Sequence, residues 1–414
     1  MSCLKGDIYM VTVTRKGSQT MEEVRKALLI EIGLRSINAL VTEDEVTFKK
    51  LNRLLKEQST TALKDYIKIK EINADEIEKD PYIEAFKKVK FDNEILTLKD
   101  SGNNYRIVGK SVLGNMVCSN NRRFTRKSLA KYEEDQRDPG SLITKISYCY
   151  TGKTLFLPVL YEGLIKKDPW MTVEPYEILT HNTRAKYVKG NVLLLGCGLG
   201  YTAFRFAQED QVKSIDIVEL SPDVKKLYDD NIRDITPNNH KINEVILADA
   251  IEYLYTTNLE KYNHIDVDIW RDTLDMTYPY LKCLALEDRY PNMKFTYWIE
   301  NSFYNNLQTE ILRILYKRFY RIEKDLIADD IPIPGLDILA EYIVDNERVM
   351  ISSTQVLLDF ISYPNLRRIV KNFAINNSEG VERIKKHIER KLKELDELII
   401  EASKIMASKS KNSI

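Results

Sequence analysis

The sequence predicts an α/β protein: a doubly wound parallel sheet, preceded by an α+β region and followed by a helical one. Three observations carry this. The apolar run Val192–Leu195 passes straight into Gly196, Gly198 and Gly200, as a strand covered on both faces does when it enters a ligand-binding turn. A helix-like stretch from Tyr201 to Gln208 and a second apolar run from Ser214 to Glu219 follow. Strand and helix patterns then alternate as far as Glu300, and such βαβ units place ligands at the carboxyl ends of their strands.

At 414 residues the chain is long enough for two or three domains. Lys plus Arg (62) equal Asp plus Glu (62), so net charge points to no particular partner. Cys3, Cys118, Cys149, Cys197 and Cys283 are scattered, which suits neither a disulfide framework nor a zinc site and fits a reducing compartment. No apolar run approaches the roughly 20 residues of a membrane span, and Met1 to Arg15 lacks a signal-peptide layout. A cytoplasmic protein without a membrane partner is expected.

Residues 1–140 read as an α+β module of unknown role, closed by the turn Asp138-Pro-Gly140. Tyr9 to Thr14 alternates as a strand does. Thr42-Glu-Asp-Glu45 is a capping box that should open a helix carrying Val46, Leu51, Leu54 and Leu55. Asn73 to Val89 reads as a helix broken at Pro81, and Glu94 to Val108 as a hairpin turning near Ser101-Gly-Asn-Asn104. Arg122, Arg123, Arg126 and Lys127 surround Phe124 and have the charge to hold a phosphate backbone. Acidic Glu133 to Asp135 follows closely, so a solvated loop is preferred and a nucleic-acid partner is not favoured.

Residues 141–320 are expected to form the ligand-binding domain. Thr154 to Leu160 reads as a strand, Lys166 to Pro169 as a turn, and a helix should begin near Pro175. A dinucleotide fingerprint wants its third glycine one place beyond Gly200, where Tyr201 stands, so a nicotinamide or flavin nucleotide is disfavoured. Glu219 ends the next run about 20 residues on, where a carboxylate can bind both ribose hydroxyls. The alternative is a tight turn beside an incidental surface glutamate. Ser221 caps a helix with Pro222 at its first position. Val245 to Leu247, Tyr262 to Ile269 and Lys294 to Glu300 complete the expected strands.

Glycines at positions one, three and five, an acidic strand end, Glu177-Ile-Leu-Thr-His181, Val218 to Val224, Ala248-Asp249-Ala250 and Tyr262 to Asp268 occur in one order. Together they resemble the spermidine synthase-like branch of class I S-adenosylmethionine-dependent methyltransferases. The resemblance covers about Gly152 to Glu300 and implies a Rossmann-like methyltransferase sheet. It also implies S-adenosylmethionine as cofactor, held by Gly196, Gly198, Gly200, Glu219, Asp249 and Ala250, with Asp249 accepting from the adenine amine. Asp268 would be catalytic, acting on the attacking nucleophile, and Glu177, Trp270 and Arg271 would lie on the substrate side. Bland alternatives stand beside these: Asp268 as a helix cap, Trp270 as packing, and Asp266, on the same strand face as Asp268, in solvent.

The departures bear on the substrate. Polyamine synthases carry an acidic residue where this chain has Leu199, and a second aspartate where it has Arg271. Leu194 likewise stands where methyltransferases commonly have an acid. These changes favour transfer of methyl to an unknown acceptor, with Asp268 as base if the nucleophile is protonated. An aminopropyltransferase, or a non-catalytic S-adenosylmethionine-binding protein, is the alternative. His181 and His264 have no ligand spacing, so no metal is expected.

Residues 321–414 should be helical. Ile331-Pro-Ile-Pro-Gly335 reads as a stiff linker. Val381, Ile384, Ile388, Leu392, Leu395 and Ile399 mark an amphipathic helix docked on its own domain or on a partner.

Overall fold

A computed structural model describes residues 11–43, 46–57, 61–89, 99–100, 103–104, 111–113, 116–124, 129–162, 169–322 and 333–411. The chain is mixed α/β around a five-stranded parallel sheet. Its strands are β1 (Gly190–Leu195), β2 (Val212–Glu219), β3 (Ile242–Leu247), β4 (His264–Val267) and β5 (Lys294–Tyr297), in the order β3-β2-β1-β4-β5. Val192, Leu193, Leu194 and Leu195 are all buried because β1 has a neighbour on either side, Leu193 lying opposite both Asp216 and Ile265. The order reverses between β1 and β4. Connections leave in opposite directions there and open a crevice at the carboxyl ends, an arrangement compatible with a doubly wound, Rossmann-like fold.

Five helices matter for the site: α1 (Pro81–Phe86), α2 (Pro175–Ala185), α3 (Tyr201–Ala207), α4 (Pro222–Leu227) and α5 (Ala250–Thr256). Their starts follow from local chemistry. Asp80 accepts from the Tyr82 and Ile83 amides and Pro81 follows it, so the break expected at Pro81 is a helix start. Ser221 accepts from the Val224 amide ahead of Pro222 in the same way. Gly200, at φ 72°, lets the chain turn from the loop into α3.

The chain separates into two compact units, one of Met1–Leu28, Asp272–Leu286 and Phe303–Ile414, the other of Leu29–Arg271 and Glu287–Ser302. The divisions expected after residues 140 and 320 are therefore misplaced. Asp138-Pro-Gly140 is not a boundary but the turn of a hairpin, in which Ala130–Arg137 pairs antiparallel with Thr144–Thr151. Thr144–Thr151 also pairs in parallel with Ile67–Ile72, so one sheet crosses the presumed boundary. Tyr82, Ile83 and Phe86 share a core with Leu157, Leu194, Tyr201 and Phe204.

Other local expectations change as well. Helix Ser18–Glu43 runs on through Thr42, and the next helix, Phe48–Glu57, is capped by Thr47, whose hydroxyl accepts from the Lys50 amide at 3.2 Å. The capping box at Thr42 thus loses to continuation of the preceding helix. Asn103–Asn104 pairs antiparallel with Lys99–Asp100, as the expected turn requires, while most of 94–108 lies outside the described residues. Arg122 and Arg123 belong to the strand Met116–Phe124 rather than a loop; Arg126 and Lys127 lie outside the described residues.

In the first-named unit Val11–Val13, within the strand expected from the alternation of Tyr9 to Thr14, pairs in parallel with Val349–Ile351; the latter is the one too short to show by periodicity. Helices Leu336–Asn346, Thr354–Phe360, Tyr363–Asn376 and Ser378–Lys411 follow the linker. Val381, Ile384 and Ile388 are buried and Leu392 is exposed. The side chains of Leu395 and Ile399 lie outside the described residues. Among the described residues no helix is long and apolar enough to cross a membrane.

Candidate active site

The site lies where β1, β2, β3 and β4 end. Gly196, Gly198 and Gly200 all have positive φ, at 97°, 49° and 72°. A Cβ on Gly196 would stand 2.1 Å from the Asp268 carbonyl oxygen, so glycine is needed for the loop to pass the end of β4. A Cβ on Gly198 would meet Met171 Sδ at 2.5 Å, and one on Gly200 the Tyr228 ring at 2.6 Å. The glycines therefore admit protein atoms first.

Most of the loop's amides already have partners. The Cys197 amide donates to Glu219 Oε2 at 2.9 Å, the Leu199 amide to Met171 Sδ at 3.2 Å, and the Gly200 amide to the Cys197 carbonyl at 2.8 Å. Glu219 Oε1 also accepts from the Ser221 amide at 2.8 Å, so this carboxylate ties the loop to the start of α4. Each of its oxygens keeps a second lone pair for a ligand hydroxyl. At the end of β3 Asp249 is exposed and caps α5, accepting from the Glu252 amide at 2.8 Å; buried Ala250 opens that helix. Leu220 and Leu247, the neighbours of these strand ends, remain 68% and 51% exposed. Large apolar side chains left bare on either side of two carboxylates suit a planar apolar ligand with polar edges.

A charged network fills the other side of the crevice. Glu177, His181 and Arg184 occupy one face of α2, at the i, i+4 and i+7 spacing of a helix. Arg184 Nη1 donates to Asp266 at 2.9 Å, and Nη2 reaches both Asp268 at 3.1 Å and His181 Nδ1 at 2.5 Å. Glu177 Oε2 lies 3.0 Å from His181 Nε2, and Thr202 of α3 lies 2.9 Å from Nδ1. Asp266 is buried, not in solvent, and takes a second bond of 2.6 Å from the Thr296 hydroxyl. Since Thr296 spends its proton there, its 2.7 Å contact with His264 Nε2 is a bond donated by the imidazole.

Two carboxylates thus pair with one guanidinium, and a third, Glu177, joins the network through His181. Burial pushes the Asp268 carboxyl up to about 6, with Arg184 pulling the other way and Asp266 adding to the rise. Burial, with Asp268 alongside, holds the Glu177 carboxyl well above the usual carboxylate range. His181 is held well below its ordinary value by burial and by Arg184, so it is neutral. Burial drives the Cys197 thiol upward, which makes it a poor nucleophile.

The remaining candidates separate. Trp270 is only 5% exposed and its indole donates to the Trp298 carbonyl at 3.1 Å, so it packs within the protein and offers no stacking face to a substrate. Arg271 is exposed. Leu199 is fully buried, its carbonyl accepting from the Tyr82 hydroxyl, and Leu194 is buried in β1. Reasoning from sequence missed Arg184, Thr202 and Met171; only the polar stripe at helical spacing in α2 would have exposed Arg184. Ile299, just after β5, has φ 54°, an unusual backbone for a β-branched residue, and lies two residues past Tyr297 at the same sheet end.

No protein-family model matches the chain, and no curated protein matches it in sequence.

Proposed function

We propose that the protein is an S-adenosylmethionine-dependent methyltransferase with a Rossmann-like core, acting on an acceptor whose nucleophile is deprotonated by Asp268. The observation that carries this is the charge of the crevice. Glu219, Asp249 and Asp268 stand at the ends of three strands, while the loop amides of Cys197, Leu199 and Gly200 are already bonded. A pyrophosphate needs free amides or cations at that loop, and here it would meet a carboxylate. A nucleoside carrying a positive charge suits the same surroundings.

The residues present fit such a group. Glu219 has lone pairs that would hold the ribose hydroxyls, Asp249 and Ala250 at the end of β3 would hold the adenine, and Leu220 and Leu247 would supply apolar surface. S-adenosylmethionine, when bound, supplies an electrophilic methyl group. The chain's own task is to align the acceptor, exclude water and take a proton. Asp268 is 22% exposed at the crevice, and with a value near 6 it is mostly ionised at neutral pH yet basic enough to accept a proton. Arg184 holds it from behind. Burial of Leu199 leaves no acid in the loop for the amine of a decarboxylated cofactor, so methyl is favoured over aminopropyl.

Calorimetry with S-adenosylhomocysteine, S-adenosylmethionine and NAD tests the binding. The first two should bind, NAD should not compete with them, and Glu219→Ala should lose about 1–3 kcal/mol of their affinity. NAD binding that competes with S-adenosylhomocysteine, or unchanged S-adenosylhomocysteine affinity in Glu219→Ala, overturns the assignment. With methyl-labelled cofactor and cell extract, Asp268→Asn should keep cofactor affinity but lower the rate about 10²–10⁴-fold; spermidine formation from putrescine and decarboxylated cofactor would replace methyl by aminopropyl transfer.

A further inference from the structure

The opposite edge of the same sheet carries a second feature. Around the amino ends of β1, β2, β4 and β5 lies an open surface hollow of about 870 Å³ whose lining includes Lys189, Lys213, Lys294, Gln211, Asn263 and Asn292. Among the described residues no carboxylate lines it. In a chain whose 62 basic and 62 acidic residues balance, three lysines at the starts of three strands, Lys189 just before β1, Lys213 in β2 and Lys294 in β5, line this hollow with no acid among its described lining residues. β1 is six residues long, so this hollow is roughly 20 Å from the glycine loop and is a separate site.

Its geometry is specific. Gly190 adopts φ 74°, and a Cβ there would stand 2.2 Å from Asn263 Oδ1; the missing side chain lets Asn263 fold against the strand start. Asn263 Oδ1 accepts from the Asn191 amide at 2.8 Å, which leaves the Nδ2 protons as what Asn263 can offer a ligand. Lys294 Nζ stands 4.4 Å from the centre of the Tyr187 ring, and that ring is 58% exposed. Partial burial and the charge of Lys189 lower the Lys294 amine from its ordinary value, as expected of like charges held together without a counterion.

We propose that this basic hollow binds the pyrophosphate group of a small phosphorylated ligand, held by Lys189, Lys213 and Lys294 with Asn263 as a neutral donor. Three ammonium groups match the charge of a diphosphate, and amide donors complement oxygens the lysines leave. The hollow is open, and the half-bare Tyr187 ring against Lys294 lies next to it, where a planar group of the ligand could pack.

The test is calorimetry on the full chain with inorganic pyrophosphate, with a single-stranded oligonucleotide titrated in parallel at several salt concentrations. Pyrophosphate should bind, and Lys189→Gln, Lys213→Gln and Lys294→Gln should each weaken it about tenfold. Affinity for S-adenosylhomocysteine should not change in any of the three, because the residues lie at the other end of the sheet and are exposed, so a variant that still binds it is folded. Absence of pyrophosphate binding to the wild-type chain, or binding that survives the triple substitution, overturns the proposal. An oligonucleotide that binds more tightly than pyrophosphate, with a steep salt dependence lost in the triple variant, also overturns it by making the surface a nucleic-acid interface.

Discussion

His181 Nδ1 lies 2.5 Å from Arg184 Nη2, and because a guanidinium can only donate, the imidazole must carry its proton on Nε2, facing Glu177. One helix turn thereby sets the tautomer of a buried histidine, while the same guanidinium holds two aspartates at the end of β4. Removing Arg184 leaves buried Asp266 and partly buried Asp268 without their cation.

The first prediction concerns Asp268. Its folded value near 6 lies above the ordinary carboxylate value of about 3.9, so between the two the native state holds more protons than the unfolded state. Its contribution to stability is therefore full below that window and falls as pH rises through it. The two buried histidines act in the opposite sense, since His264 is lowered to about 3 and His181 is also lowered, and they cost stability as pH drops below about 6.5. Carbon-detected NMR should show Asp268 titrating near 6. Arg184→Met should raise that value further and destabilise the fold by about 3–5 kcal/mol, with Arg184→Lys milder because the charge stays and only the fork is lost. A titration near 4 in the wild type would remove Asp268 from the role of base.

A second prediction separates two loop glycines. Gly196→Ala must move backbone, because the obstacle is the Asp268 carbonyl and φ is 97°. Gly198→Ala meets only the flexible end of Met171, at φ 49° in the left-handed region. Denaturant melts should show about 1–2 kcal/mol lost for Gly198→Ala and clearly more for Gly196→Ala. Equal losses would mean that the carbonyl of Asp268 does not confine the loop.

The third prediction tests whether residues before 140 hold the loop. The Tyr82 hydroxyl donates to the Leu199 carbonyl, and Asp80 Oδ2 accepts from the Tyr201 hydroxyl at 3.1 Å. Tyr82→Phe leaves a buried carbonyl unbonded and should cost about 1–3 kcal/mol. Hydrogen exchange should accelerate at the Leu199 and Gly200 amides more than in β1. Unchanged exchange at both would show that α1 is not a support for the loop.

The sequence by itself determined the central sheet. Apolar runs as long as Val192–Leu195, glycines that break them and helix caps such as Ser221-Pro222 are local signals, each deciding the backbone within a few residues. It also brought forward Glu219 and Asp268, because strand ends can be located once strands are. What tertiary structure alone decided is how separated segments meet. Asp138-Pro-Gly140 looks like a boundary locally, yet the pairing of Thr144–Thr151 with Ile67–Ile72 makes it an internal turn. Arg184 acquires its place only when α2 packs against the end of β4, which brings its guanidinium to residues more than 80 positions away in the chain. Likewise Trp270 is an exposed-looking residue near Asp268 until the Trp298 carbonyl claims its N–H. Charge partners and burial depend on three-dimensional proximity, which no spacing along the chain encodes.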